Sequence, residues 1–373
     1  MINREKSEKV ENIMTICNRS KLREDIIKLL DERDALGAQA TTEFLALEEN
    51  NSANFPILWA KLMEANNRFF DSKGDRTEIK KAFSALNRDE MLFLAKLVRY
   101  MMAKISDEEM KRFPISKEVK IEKITANGVS AEWQINPGAQ NDKVLLYFHG
   151  GGNVIGSPKE SRLFTVSLGQ IAKIRVLSVD YRLSPEFPYP AAQEDCVNVY
   201  KWLLSSGYKS ENIILGGLSA GGYLTLSTLI RIKKFGIPFP AGAICLSPAA
   251  GWTYDEKEFY DNAETDPILT DTGLFTWCAP SHLAGADPDD PMVSPLYSDL
   301  TGFPPLLFQA STTEVLYIYS KIMVEKAKTA GVDTTFETWD DTIHAFHTMG
   351  MNKLPETEEA IRNIGNFVRK LVK

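Results

Sequence analysis

The sequence predicts an α/β protein with a mostly parallel central sheet flanked by helices, and a further helical region at its N-terminus. Three observations predict it. From Lys143 onward, short apolar runs of strand length alternate with amphipathic stretches, which is the texture of repeated strand–loop–helix units. Residues 1–112, by contrast, carry almost no strand signal. And two of the apolar runs end directly in glycine clusters, one at His149-Gly150-Gly151-Gly152 and one around Gly217-Leu218-Ser219-Ala220-Gly221. Such clusters suit turns whose backbone must come close to something.

In the N-terminal region, apolar residues recur at helical spacing. Val10, Ile13, Met14 and Cys17 form one set, Ile26, Ile27, Leu29 and Leu30 a second, and the dense run Met91, Leu92, Leu94, Leu97, Val98, Met101 and Met102 a third. Asn50-Asn51-Ser52 and the stretch Asp71 to Asp75 read as breaks. Amphipathic helices are not stable alone, so this region must cover something. The methionine stripe reads as packing.

The pattern changes near Phe113-Pro114. Val119, Ile121 and Ile124 alternate with polar residues, Asn127-Gly128 supplies a turn, and Ala131, Trp133 and Ile135 follow. Strands are expected at 144–148, 175–180, 212–216, 242–247, 305–310 and 333–339. Helices are expected at 160–172, 191–206, 220–235, 317–330 and 356–371, with Gly236 and Gly331 at C-cap positions. Residues 250–304 form a long stretch rich in Asp, Pro and Gly, and a stretch of that length is functional or holds extra helices.

Composition excludes several classes. The 373 residues carry a formal charge of −7, and no basic stripe is present, which disfavours a nucleic-acid partner. Cys17, Cys196, Cys245 and Cys278 match no zinc or redox spacing, so no metal site is read from them and the thiols read as reduced. No apolar segment is long enough to span a membrane, and the first twenty residues lack a signal-peptide core, so a cytoplasmic location is expected.

The chemistry centres on Ser219. A lone G-x-S-x-G is a weak signal, but here a strand precedes it and a helix follows. A serine on that turn projects outward at a helix N-terminus, where free N–H groups and the helix dipole favour developing negative charge. A serine nucleophile needs a base and an orienting acid. The histidines are His149, His282, His344 and His347. The order Ser, acid, His favours His344, with His347 as its neighbour in the same stretch. Glu314 is the acid in the turn after the 305–310 strand, while Asp340 and Asp341 share the loop of the histidine.

Four stretches resemble a known family. His149 to Gly152, Asp180 to Asp195 (Tyr-Arg-Leu-Ser-Pro-Glu at its core), Gly217 to Gly222, and Ser294 to Leu316 together resemble the hormone-sensitive-lipase-like α/β-hydrolases, in their bacterial and archaeal esterase branch. The resemblance implies the α/β-hydrolase fold over residues 113–373. It also implies a helical cap largely from residues 1–112, with 250–304 contributing to cap or pocket. Ser219 matches the nucleophile, His344 the base and Glu314 the acid. The N–H groups of Gly151, Gly152 and Ala220 match the oxyanion hole, and His149 is structural. Asn153 and Leu218 are expected at the substrate. Leu218 stands where Asp is common, Ser184 where Ala is common, and Glu314 where Asp is usual.

The implied activity is that of a serine carboxylesterase on short- to medium-chain acyl esters, a two-step acyl transfer that needs no metal and no cofactor. Its partner is a small-molecule ester, and a homodimer is a state that members of the family often take. A lactone or acetyl-ester hydrolase, or a non-catalytic ligand receptor on the same fold, are the alternatives.

Overall fold

The computed structural model describes residues 16–47 and 54–372. The spacing at Val10, Ile13 and Met14 and the break at Asn50-Asn51-Ser52 lie outside those residues.

An eight-stranded sheet organises the chain. β1 (Lys120–Ala126) and β2 (Val129–Ile135) form an antiparallel hairpin closed by Asn127-Gly128, and β2 runs antiparallel to β4 (Ile174–Asp180). β3 (Gln140–Phe148), β4, β5 (Ile213–Leu218), β6 (Gly242–Leu246), β7 (Leu306–Ser311) and β8 (Thr334–Trp339) are mutually parallel. The spatial order is β1-β2-β4-β3-β5-β6-β7-β8. The chain steps from β3 to β4 in one direction and returns to build β5 to β8 in the other. This reversal beside β3 is a topological switch point, and the crevice outside the carboxyl ends of β3 and β5 is where such sheets bind ligands.

Both faces of the sheet are covered, so its central strands read as continuous apolar runs. Successive side chains alternate between faces. Leu145 and Tyr147 of β3 pack with Phe164 and Leu168 of α5 (Pro158–Ala172) and with Ile361, Ile364 and Val368 of α12 (Pro355–Leu371). Val144, Leu146 and Phe148 belong to the opposite core. That core is built with α6 (Ala191–Ser205), α7 (Ala220–Phe235) and α10 (Tyr317–Thr329).

Four helices precede the sheet: α1 (Glu24–Leu45), α2 (Phe55–Asp71), α3 (Arg76–Phe83) and α4 (Arg88–Arg112). The expected break at 71–75 separates α2 from α3, and Asp75 caps α3 by accepting from the N–H groups of Thr77 and Glu78. α4 starts on a reciprocal capping box between Asn87 and Glu90. Its stripe is packing, as expected: Met91, Leu94 and Ala95 join Leu62 and Met63 of α2 in one apolar cluster. That cluster also contains Val154 and Ile155 from the loop after β3.

Most boundaries fall within two residues of the sequence reading, and the largest difference is in β3. β3 starts at Gln140 rather than 144, because its first residues are polar and exposed and carry no apolar signal. The 250–304 stretch holds helices, as expected of its length: α8 (Glu258–Asp261) and α9 (Leu274–Leu283). α9 is buried nearly all round, so it shows no amphipathic period.

Candidate active site

β5 passes into α7 through Ser219, whose backbone sits at φ 56°, ψ −116°. A non-glycine residue there is strained by about 1–3 kcal/mol and persists only where its surroundings fix it. They do: Ser219 N–H donates to the Leu246 carbonyl (2.7 Å), and its own carbonyl accepts from Tyr223 (3.0 Å) and Ala249 (3.3 Å). The turn closes against β3, where a methyl group on Gly221 would lie 1.9 Å from the Phe148 carbonyl oxygen. Only glycine allows that approach. Ser219 is left half-exposed at the N-terminus of α7.

The glycine loop lies beside it, because Phe148 at the end of β3 pairs with Gly217 near the end of β5. A methyl on Gly150 would be 3.6 Å from Ser219 Cβ. Gly151 has φ 114°, and its carbonyl accepts from Val154 N–H (3.0 Å) and Ile155 N–H (2.9 Å). His149 is fixed at the root of the loop. Its ring stacks on Tyr181 with centroids 4.1 Å apart, its Nδ1 donates to the Gly150 carbonyl (2.8 Å), and Tyr181 O–H donates to the His149 carbonyl (2.8 Å). Burial pushes this imidazole down to about 4 against the pull of the Gly150 carbonyl, so it is neutral at pH 7.

The acid and the base come from the neighbouring strands β7 and β8. His344 Nε2 lies 3.0 Å from Ser219 Oγ, and His344 Nδ1 lies 3.0 Å from Glu314 Oε2. The Glu314 side chain is fully buried. Burial acts to lower the basicity of His344, but the charge and hydrogen bond of Glu314, followed by the charge of Asp266, outweigh it and raise the pKa above its ordinary 6.5. His347, on the short α11 (Phe346–Met349), instead meets Gln309 Oε1 (3.2 Å), and burial, then the His344 charge, push it down to about 3. His282 is buried against Gln193. Asp340 accepts from the Thr312 hydroxyl, and both Asp340 and Asp341 are exposed.

Asn153 and Leu218, expected at the substrate, are placed differently from each other. Asn153 follows the glycines directly; its amide is fully buried with neither polar atom paired. Leu218 is 4% exposed and packs beside Leu145, Tyr147 and Leu246.

The sequence reading missed the residues that hold the acid. Asn262 Nδ2 donates to the carbonyls of Thr312 and Glu314 (both 2.9 Å), and Thr265 Oγ1 donates to that of Thr313 (3.0 Å). Asp266 Oδ2 accepts from Val315 N–H (3.0 Å), while its Oδ1 accepts from Ile268 and Leu269 (both 3.1 Å). This carboxyl is completely buried and pushed up to about 6, first by burial and further by the Glu314 charge, with His344 and the N–H groups opposing. Asp266-Pro267 could be read from sequence as a turn signal. Its reach to Val315, 49 residues away, could not.

A serine, an imidazole and a carboxylate in this linear array can perform nucleophilic acyl transfer. Residues 145–348 match the family described as α/β hydrolase fold. An acetyl-hydrolase of Streptomyces hygroscopicus is 39% identical over 246 residues, spanning 66% of this chain and 81% of its own. An esterase of Acinetobacter venetianus is 32% identical over 267 residues, spanning 72% and 88%. Among solved structures, an esterase from the bacterial hormone-sensitive lipase family superposes with a TM-score of 0.70 at 37% identity, covering 83% of this chain and 99% of the other. The chain is an α/β hydrolase. Within that fold it belongs to the hormone-sensitive-lipase-like family.

Proposed function

We propose that the protein hydrolyses short- to medium-chain carboxylic esters through an acyl-enzyme on Ser219. The coarser statement, that it is a carboxylic ester hydrolase, follows from its family. The acyl-enzyme on Ser219 is carried by a single observation, the unbroken array Ser219 Oγ–His344–Glu314 with both links at 3.0 Å, and the chain-length preference is what the family resemblance implies.

In this reading His344 Nε2 takes the Ser219 proton as Oγ attacks the ester carbonyl. Glu314 keeps the Nδ1 proton in place and stabilises the imidazolium that forms. The N–H groups of Gly151, Gly152 and Ala220 receive the oxyanion, each donor contributing about 3–4 kcal/mol to the transition state. His344 then protonates the leaving alcohol, and later activates the water that releases the acid.

A second reading, a preference for acetyl esters, is supported by the acetyl-hydrolase name of the Streptomyces relative. The reading as a non-catalytic receptor is disfavoured by an imidazole that stands in hydrogen-bonding position to Ser219. The proposal includes a cap from residues 1–112 over the catalytic domain 113–373, supported by the packing of α2 and α4 on Val154, Ile155 and α9. It includes a cytoplasmic location, supported by four free, buried cysteines, and a homodimer, to be checked by light scattering. Among the described residues no helix is long and apolar enough to cross a membrane.

The test is turnover of p-nitrophenyl acetate, butyrate, octanoate and palmitate beside Ser219→Ala. Acetate and butyrate should turn over fastest, with a loss of about 10⁴-fold or more in the variant. No turnover above the variant on any chain length sinks the proposal. A palmitate preference moves it to long-chain lipids.

A further inference from the structure

We propose that Arg99, on helix α4, is a positioning residue of the oxyanion hole, holding the far end of the glycine loop from outside the catalytic domain. The inference rests on the ester-hydrolase reading above.

The loop needs such a hold. It contains three successive glycines, the residues with most conformational freedom to lose, and its proposed work is done by backbone N–H groups whose direction no side chain sets. Its near end is fixed by His149 and Tyr181. At its far end, Arg99 Nε donates to the Val154 carbonyl at 2.7 Å. The peptide next to that carbonyl belongs to the turn that closes on Gly151, since both Val154 N–H and Ile155 N–H donate to the Gly151 carbonyl. Moving Val154 therefore moves Gly151.

The same guanidinium spans a second loop. Its Nη2 donates to the Ser184 carbonyl (2.8 Å), and Nη1 and Nη2 grip the Glu186 carboxylate (2.6 and 2.9 Å). Ser184 N–H in turn donates to the Asn153 carbonyl (2.9 Å), so the two loops are tied once by backbone and again through Arg99. Apolar packing seats the helix on the same spot. Leu94 and Ala95 of α4 cluster with Val154 and Ile155, and Ala95 lies one helical turn before Arg99. A lysine could not replace this fork, because one ammonium on a flexible stem cannot meet Val154, Ser184 and Glu186 together. The N-terminal helices thus shape the hole that receives the oxyanion as well as covering part of the domain.

The experiment compares wild type, Arg99→Lys and Arg99→Ala. With p-nitrophenyl butyrate, kcat should fall about 10- to 100-fold with KM within about twofold, as for an interaction made only in the transition state. Inhibition by butylboronic acid, whose tetrahedral adduct on Ser219 places an oxygen in the hole, should weaken by a similar factor. Amide hydrogen exchange over residues 150–156 should quicken in both variants. An ordinary stabilising ion pair would lower the melting temperature and leave the kcat-to-KM pattern and the boronate affinity of the folded enzyme unchanged. A kcat for Arg99→Lys within twofold of wild type, or unchanged exchange at 150–156 in both variants, overturns the inference. A wild type inactive on every ester sinks the esterase reading instead, and the exchange measurement still decides whether Arg99 holds the loop.

Discussion

The two halves of the site are held by different means. The nucleophile and the glycine loop sit at the centre of the sheet, on β5 and β3. The nucleophile elbow is fixed there by close backbone approach, Gly221 against the Phe148 carbonyl and Ser219 N–H on the Leu246 carbonyl, while the glycine loop beside it also takes side-chain holds from His149, Tyr181 and Arg99. The acid and base sit after β7 and β8, toward one edge of the sheet. Their turns are gripped by side chains far away in sequence. Asn262, Thr265 and Asp266 hold residues 312–315, and Thr313 Oγ1 donates across to the Thr342 carbonyl in the His344 loop (2.5 Å). The elbow, built from backbone contact, has no room for even one added methyl at Gly221. A half built from side-chain contacts should lose function in steps.

The sharpest break of that comparison is Gly221→Ala. Its new methyl cannot stand 1.9 Å from a carbonyl oxygen, so the elbow must open. Overpacking of this kind costs about 1–3 kcal/mol or more, and with the strained Ser219 displaced, activity should fall by about 10³-fold or more. Thermal denaturation and kcat/KM together check it. A variant within tenfold of wild type would mean that the backbone contact does not set the nucleophile.

On the other half the expected losses are graded. Glu314→Ala should cost about 10²- to 10⁴-fold in kcat, because it strips the orienting partner from His344. Glu314→Asp, one methylene shorter, should fall between that variant and wild type. Asp341→Ala, altering an exposed side chain, should stay within about twofold. Equal loss for Glu314→Ala and Asp341→Ala would move the acid.

A smaller effect with a distinct signature is expected at Asp266. The titratable groups facing His344 are Glu314, Asp266 and the neutral His347. His344 must be neutral to accept a proton, and its pKa is raised, so wild-type kcat/KM should be lost as pH falls through a value above 6.5. Asp266, pushed up to about 6, is ionised at neutral pH and contributes to that rise. Asp266→Asn keeps the shape and removes the charge, so the acid limb should move to lower pH while kcat falls by about three- to tenfold. An acid limb moving upward, or not at all, would remove Asp266 from the electrostatics of the base.

The same contrast explains what was legible in the sequence. Local features were readable because their causes are local. Gly217 to Gly221 follows a strand and opens a helix, and the alternation from Ile121 to Ile135 makes a hairpin around Asn127-Gly128. His344 and Glu314 were readable from chain order and from the strands before them. The brace around them was not, because Asp266 acts across 49 residues and Asn262 across 50 or more. α9 was hidden because a helix buried nearly all round has no polar face to mark its period.

The mildest test of the side-chain-held half is Ile26→Ala on α1. Ile26 is 1% exposed and packs, with Leu29 and Leu30, against Ile343 and Phe346, which flank His344 on either side, and against Leu354 and Ala360 beyond. Arg23 adds an ion pair to Glu356 at the start of α12 (2.5 Å). Truncating a buried isoleucine costs about 2–5 kcal/mol of stability, depending on how far the site collapses. If α1 holds the base in register, kcat should also fall by about two- to fivefold at a temperature where the variant is fully folded, with KM steady. The glycine loop, on the other half, should keep its hydrogen-exchange protection. Loss of stability with unchanged kcat would show that the His344 loop keeps its geometry from Thr313 and Glu314 alone, and that α1 supports the fold without supporting the base.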